Sequence, residues 1–244
     1  MPHFFIGEND EINNNLVTIR DKENYRHIAR ALRARAGEKL LLIDEEQIQY
    51  ETIISQITNN EIICEIKNSY PSKRDLEFDL FLAQSPLRSD SQLTIMEKAT
   101  ELGVRGVYPI ITDNCAVKKE VAETKVEKWQ KVMYEASKQC ERAKIPTCYG
   151  INNLETILNM DFDRIIVFGE RSTEQSLKHY LGVNPIKKSE KILVIIGPEG
   201  GFSQREFQLF RDNHLPVISL GDLILKADTA VVVALGDIIY EYQG

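Results

Sequence analysis

The chain has 244 residues, more than the ~150 of a typical domain, so its length fits two modest domains or one large one. With 43% hydrophobic and 27% charged residues, it is neither a wholly disordered polyelectrolyte nor a membrane-embedded protein. Thirty basic against 37 acidic side chains give a net charge of -7, which excludes a protein that coats nucleic acid indiscriminately but leaves room for a local cationic patch.

The start, Met-Pro-His-Phe-Phe-Ile-Gly-Glu, carries no positive segment followed by a long apolar one, so neither export nor membrane spanning is expected. Cys64, Cys115, Cys140 and Cys148 form no C-x-x-C pair and are too sparse for a disulfide scaffold, so reduced thiols in the cytoplasm are expected.

Along the first seventy residues, apolar alternation predicts short strands at Phe4–Ile6, Lys39–Ile43, Tyr50–Ile54 and Glu61–Ile66, a spacing that fits a small β-barrel. One helix interrupts them from about Asn24 to Arg35, ended by Gly37, with Ile28 and Leu32 on one face and Lys22, Arg26, Arg30 and Arg33 on another. Residues 20–39 hold seven basic side chains against three acidic ones, opposite in sign to the whole chain. That stripe is either a solvated helix face or a surface for RNA.

Pro71-Ser72-Lys73-Arg74 marks the expected boundary, because strands then alternate with helices of ten or more residues. Strands are predicted at Phe78–Ala83, Gly106–Ile111, Arg164–Phe168, Lys191–Ile196 and Val217–Leu220. Helices are predicted at Gln92–Leu102, Val121–Arg142, Ser203–Asn213, which opens on the capping box Ser203-Gln-Arg-Glu206, and Thr229–Tyr240. The alternation specifies an α/β parallel sheet with its ligand site beyond the carboxyl ends of the strands. The last helix is apolar nearly all round, so Val231, Val232, Val233, Leu235 and Ile238 are expected to need a second subunit as well as the chain's own core.

Three loops sit at those carboxyl ends: Phe168-Gly169-Glu170-Arg171, Ile196-Gly197-Pro198-Glu199-Gly200-Gly201, and Leu220-Gly221-Asp222-Leu223-Ile224-Leu225-Lys226. No Walker lysine follows the glycines and G-x-G-x-x-G is missing, which excludes both common nucleotide signatures. The glycines either permit close approach to a ligand or serve the turns alone. His3, His27, His179 and His214 have no partner at ligand spacing, so no metal is expected. Without a G-x-S-x-G elbow, covalent hydrolysis is disfavoured. The charged candidates near the loops are Arg88, Arg142, Glu199, Lys226 and Asp228.

Lys98-Ala-Thr-Glu101-Leu-Gly103-Val104, then Glu135-Ala136 with Gln139 and Arg142 ahead of Pro146, then Gly197-Pro-Glu-Gly-Gly201-Phe202, then Leu220-Gly221 with Ile224-Leu225 and Thr229-Ala230 occur in that order. This series resembles the bacterial 16S rRNA uridine-N3 methyltransferases, the RsmE family of the SPOUT superfamily, over the full length. The resemblance implies a PUA-like RNA-binding β-barrel over 1–72 and a SPOUT methyltransferase domain with a C-terminal trefoil knot over 73–244. It also implies S-adenosylmethionine as methyl donor, a homodimer, and 16S rRNA in the small ribosomal subunit as partner, with N3 of U1498 the family's target.

By that resemblance the cofactor contacts are Phe168, Gly169, Glu170, Ile196, Gly197, Glu199, Gly200, Gly201, Leu220, Gly221 and Leu225. The expected catalytic groups are Asp228 or Glu199 as base, with Lys226 and Arg142 stabilising the uracil oxygens. Asp228, directly before Thr229, could instead cap the last helix. Lys22, Arg26, Arg30, Arg33 and Arg88 are the expected RNA contacts. The chain departs from the family in reading Lys226-Ala227-Asp228 where Arg-Thr-Glu is usual, Asp113-Asn114-Cys115 where Glu-Arg-Ser is usual, and Leu87-Arg88-Ser89-Asp90 where a lysine and a glycine are common. Lysine keeps the charge at 226 but not the bidentate fork of arginine. Two other activities fit the same motifs: an RNA-binding assembly factor that has lost turnover, and ribose 2′-O-methylation.

Overall fold

The computed structural model describes residues 1–72, 75–88, 90–169 and 175–243, in two compact units. Residues 1–75 and 138–144 form the first, and 76–137 with 145–244 the second.

In the first unit, β1 (His3–Phe5), β2 (Glu11–Asn13), β3 (Leu16–Ile19), β4 (Lys39–Ile43), β5 (Ile48–Ile57) and β6 (Ile62–Pro71) make one curled sheet in the order β1-β4-β5-β6-β3-β2. It is a half-barrel, open between β1 and β2, where a small β-barrel was expected. The β2–β3 hairpin was not foreseen. Its three-residue strand β2 is wholly exposed and so lacks the apolar alternation by which strands are read. Inside the curl, Phe4, Val17, Ile19, Ile28, Leu40, Leu42, Ile54, Ile62 and Cys64 pack together. Each large apolar side chain so buried contributes roughly 1.5–3 kcal/mol against its exposure.

The helix between β3 and β4 is shorter and less regular than its spacing predicts. It starts as α1 (Lys22–Tyr25), capped by the Asp21 carboxylate, which accepts from the N–H groups of Glu23 and Asn24 at 3.0 and 2.8 Å. It continues as a π-helical turn over Arg26–Ala31, in which Leu32 N–H donates to His27 C=O. The wider turn shifts the faces: Ile28 is buried as expected, but Leu32 is 44% exposed. Arg33 lies past the helix at φ +54°, so it does not continue the helical stripe.

In the second unit, β7 (Asp79–Gln84), β8 (Gly106–Ile111), β9 (Thr147–Cys148), β10 (Asn152–Asn153), β11 (Arg164–Phe168), β12 (Lys191–Ile196) and β13 (Val217–Ile218) are all parallel, in the order β10-β8-β7-β12-β11-β13, with β9 also on β8. Its helices are α2 (Asp90–Glu101), α3 (Lys119–Glu123), α4 (Val126–Gln139), α5 (Leu154–Leu158), α6 (Leu177–Val183), α7 (Gln204–Asp212) and α8 (Ala227–Gln243). The helix expected over 121–142 is thus two, broken at Thr124–Lys125, and it stops at Gln139. α5, α6, β9 and β10 were not foreseen, being too short to establish a period. Alternate residues of each central strand enter two cores. Leu80, Leu82, Ile192, Val194 and Ile166 face one with α2 and α8, while Ala83, Leu193, Ile195 and Val167 face the other with Phe210 of α7. Burial on both faces explains the unbroken apolar runs of β11 and β12.

α8 alters one expectation. Val231, Ala234, Leu235 and Ile238 are fully buried in the chain's own core, leaving Val232 and Tyr240 as its exposed large apolar side chains. The apolarity of this helix therefore needs no second subunit to explain most of it. Among the described residues no helix is long and apolar enough to cross a membrane.

Candidate functional site

Parallel register brings the three glycine loops together. Ile196 of β12 pairs with Phe168 of β11, and Phe168 pairs with Ile218 of β13, so all three strands end at one level and their loops leave side by side. Gly169 N–H donates to Ile218 C=O at 3.1 Å, holding the first loop to the third. Glu170 and Arg171, like Ser89 and the Lys73–Arg74 part of the expected boundary, lie outside the described residues.

The glycines answer to different constraints. A Cβ at Gly169 would stand 2.8 Å from Val217 Cγ1, and one at Gly197 would press on the Phe202 ring at 3.2 Å. Protein packing thus resists a side chain at 169 and crowds one at 197. Gly201 and Gly221 instead have φ of +67° and +122° with open space where a side chain would be. The Pro198–Gly201 turn is closed by Gly201 N–H donating to Pro198 C=O at 3.0 Å. In the third loop, Leu220 and Leu225 are half-buried and Leu223 is 81% exposed. Loops that expose peptide groups and carry apolar side chains suit a nucleoside-like ligand bound chiefly through the backbone.

Lys226 and Asp228 open α8. Lys226 is exposed and its C=O accepts from Ala230 N–H at 2.8 Å, so it rather than Asp228 stands at the cap. Asp228 is half-buried in the first turn, with Oδ1 accepting from Thr229 N–H at 2.8 Å. Its carboxylate thereby serves the helix start in part. Glu199 is exposed on the second loop. Arg142 is 4% exposed within the first unit, where its Nη2 meets Asp75 Oδ1 at 3.1 Å. Lys22, Arg26, Arg30 and Arg33 are all exposed on the first unit, and Arg88 is exposed on the second. Arg20, at the edge of the basic segment, is held in ion pairs with Glu11 and Glu61, both at 3.0 Å.

A profile of the RNA methyltransferase domain matches residues 74–239, and one of the RNA methyltransferase PUA domain matches 19–67. The chain belongs to the RNA methyltransferase family. Among its relatives, the ribosomal RNA small subunit methyltransferase E of Aquifex aeolicus is 31% identical, with 94% of this chain and 96% of that protein aligned. The enzyme of the same name from Bacillus subtilis is 25% identical over 91% and 89%. A Legionella pneumophila methyltransferase, solved with its bound cofactor S-adenosylmethionine, superposes with a TM-score of 0.84 at 25% identity, covering 98% of this chain and 97% of that one.

Seen in this methyltransferase fold, one group of residues was missed in the sequence. Glu206, read only as half of a capping box, is fully buried and bridges two segments. Its Oε2 accepts from Ser203 N–H at 2.8 Å and its Oε1 from Asp113 N–H at 2.9 Å. The Asp113 carboxylate in turn accepts from the Ser203 hydroxyl and from Arg205 Nη2 at 2.8 Å, while Arg205 Nη1 reaches Glu155 at 2.8 Å. The Arg205 guanidinium and the Ser203 hydroxyl hold the Asp113 carboxyl below its ordinary value. The only local signal was Ser203-x-x-Glu206, which gives no hint of a partner ninety residues away.

Proposed function

We propose that the chain transfers a methyl group from S-adenosylmethionine to N3 of a uridine in 16S rRNA, U1498 by family resemblance, during small-subunit maturation in the cytoplasm. The observation that carries this reading is the in-register meeting of the three loops after β11, β12 and β13 in a chain whose relatives, aligned over nearly all of their length, are named small-subunit rRNA methyltransferases. The residues fit the donor: Gly201 and Gly221 have open space where a Cβ would stand, the third loop carries the apolar Leu220 and Leu225, and Phe168, Ile196 and Gly197 stand where two of the loops leave their strands. When bound there, S-adenosylmethionine supplies an electrophilic methyl group. In this reading residues 73–244 form the methyltransferase domain with its trefoil knot, 1–72 form the RNA-binding PUA-like domain, and two copies pair.

The chain's own groups then have three tasks. They must orient the uracil edge, remove the N3 proton as the N–C bond forms, and stabilise the charge that develops on O2 or O4. Orientation alone is worth about 7–11 kcal/mol of the barrier. The proton passes to a carboxylate. Asp228 is the better placed, since among the described residues its Oδ2 carries no hydrogen bond, and Glu199 is the other candidate. Lys226, exposed at the mouth of the third loop, meets the developing oxygen charge as a point cation. Arg142 takes a structural part in this account, because Asp75 already neutralises it in a buried pair. The target base has to leave its stack to reach these loops.

The test is nucleoside mass spectrometry of 16S rRNA from a strain lacking the gene, which is expected to lose N3-methyluridine. Unchanged N3-methyluridine, with no second copy present, rejects the assignment, and a missing ribose methyl moves the target to a 2′-hydroxyl. One observation favours a second reading, an RNA-binding assembly factor without turnover: Asp228 already serves a helix N–H. Single-turnover methylation of unmodified small subunits separates the two, and binding of the donor without transfer supports the second.

A further inference from the structure

The loop that follows β8 is sewn to the second glycine loop by side chains that the methyltransferase chemistry does not itself employ. Residues 112–115 form a turn closed by Cys115 N–H donating to Thr112 C=O at 3.0 Å. The Thr112 hydroxyl lies 2.8 Å from that of Ser85, just beyond the end of β7, so the turn has a fixed base. From its tip, Asn114 Nδ2 donates to both Gly200 C=O at 3.3 Å and Gly201 C=O at 3.1 Å. Gly200 packs so closely that a Cβ there would meet Asn114 Cβ at 3.1 Å and Asn114 C=O at 3.4 Å. On the other side of the tip, Asp113 is gripped by Arg205, Ser203 and the buried Glu206, all from the segment that continues out of the same glycine loop.

The geometry points to Asn114, supported by Asp113, as a positioning residue for the methyl-donor loop. Its amide turns the carbonyls of Gly200 and Gly201 toward the β8 turn. That choice fixes which way the peptide planes of 199–201 face, and thus which groups the loop offers to a ligand. The role needs a donor with the short reach of asparagine at 114 and an acceptor at 113, which is the pair this chain carries. It rests on the assignment of 197–201 to the donor site, and it concerns ground-state binding of the donor and not the transfer step.

Asn114→Asp is the sharpest variant, because it keeps the shape, removes both N–H donors and sets a carboxylate against two carbonyls. Titration calorimetry of the full chain with S-adenosylmethionine is expected to show binding weakened about tenfold or more in N114D, and about threefold in Arg205→Gln, which frees Asp113 from a surface position. In steady state the KM for S-adenosylmethionine rises by the same factors while the KM for small subunits and kcat at saturating donor stay within twofold. A merely structural defect would instead lower the melting temperature and the active fraction without this split. If the parent chain binds no S-adenosylmethionine, the assignment of the loop falls and the positioning role with it. If the parent binds and both variants bind equally well, the positioning role alone is overturned. Should N114D fail to fold, unchanged donor affinity in the folded R205Q chain is sufficient to reject the role.

Discussion

The two units solve opposite problems with the same polymer. The first is a curled, largely antiparallel sheet around a single apolar core, and it carries its exposed cations Lys22, Arg26 and Arg30 on a short helix with a π turn. The second buries its parallel strands on both faces and presents backbone turns at one end of the sheet. One therefore exposes side-chain charge, the other peptide groups. Long-range charge suits a polyanion, and fixed peptide dipoles suit a small ligand. In the proposed reading, this division lets a chain of net charge -7 serve an RNA, since the favourable field needs to exist at one place only.

The largest effects should come from breaking the two-faced core. Phe210 of α7 is fully buried with Phe202 and Phe207 edge-on to it, and Phe210→Ala is expected to cost about 3–5 kcal/mol in urea denaturation of the second unit. A loss below 1 kcal/mol would mean that α7 does not cover that face. Next in size is the charge of the first unit. Reversing Arg26 and Arg30 to glutamate is expected to weaken RNA binding by tenfold or more, and to flatten the log-log salt dependence by roughly 0.7–0.9 per lost phosphate contact. Affinity for S-adenosylmethionine should not move. Parent-like RNA affinity with the same salt slope would make this surface a solvated face and send the search for contacts to the second unit.

How much of this was legible in the sequence depended on whether the information was local. β8, β11 and β12 have the bounds that their apolar runs predict, because burial on both faces leaves a continuous signal that polar turns cut off sharply. The capping box at Ser203 was equally plain. The helix after β3 was misjudged because a π turn leaves the 3.6 period, and with it the inward side of Leu32 was lost. Residue identity showed three glycine loops, but not that Val217 resists a side chain at Gly169 and Phe202 crowds one at Gly197. The Asp113, Asn114, Arg205 and Glu206 cluster joins segments some ninety residues apart, and no window of sequence contains it.

That cluster supplies a smaller effect with a defined pH window. Arg205 is the leading cause that holds the carboxyls of Asp113 and Glu155 below their ordinary values of 3.8 and 4.5. A depressed carboxyl stabilises the fold fully above its unfolded value and loses that contribution as pH falls through the folded value. Both sites are largely solvated, so the contribution is modest. The stability gap between the parent and Arg205→Gln is thus expected to be constant above about pH 4.5 and to close on acidification below 3.8, as read by urea titrations across that range. A gap that persists to low pH would mean that Arg205 acts through packing of its stem instead of its charge.

The smallest effect uses two thiols as reporters, one in each unit. Burial pushes the Cys64 thiol up to about 11, against a small opposing effect of the Thr52 hydroxyl, and pushes Cys148 up to about 12. Only the thiolate attacks a disulfide reagent, so at pH 8 both should react slowly in the native chain, while the half-buried Cys115 and Cys140 react first. Two fast and two slow thiols, all four becoming fast in denaturant, is the expected count. The slow pair then reports opening of each core separately, because a buried thiol reacts through transient exposure. In Phe210→Ala, Cys148 should speed up in proportion to the lost stability of the second unit, and Cys64, seated among Val17, Ile54 and Ile62, should keep its parent rate. Equal acceleration of both would show that the two units open as a single cooperative body, and the division of labour between charge and backbone would then belong to the surface alone and not to the folding of the chain.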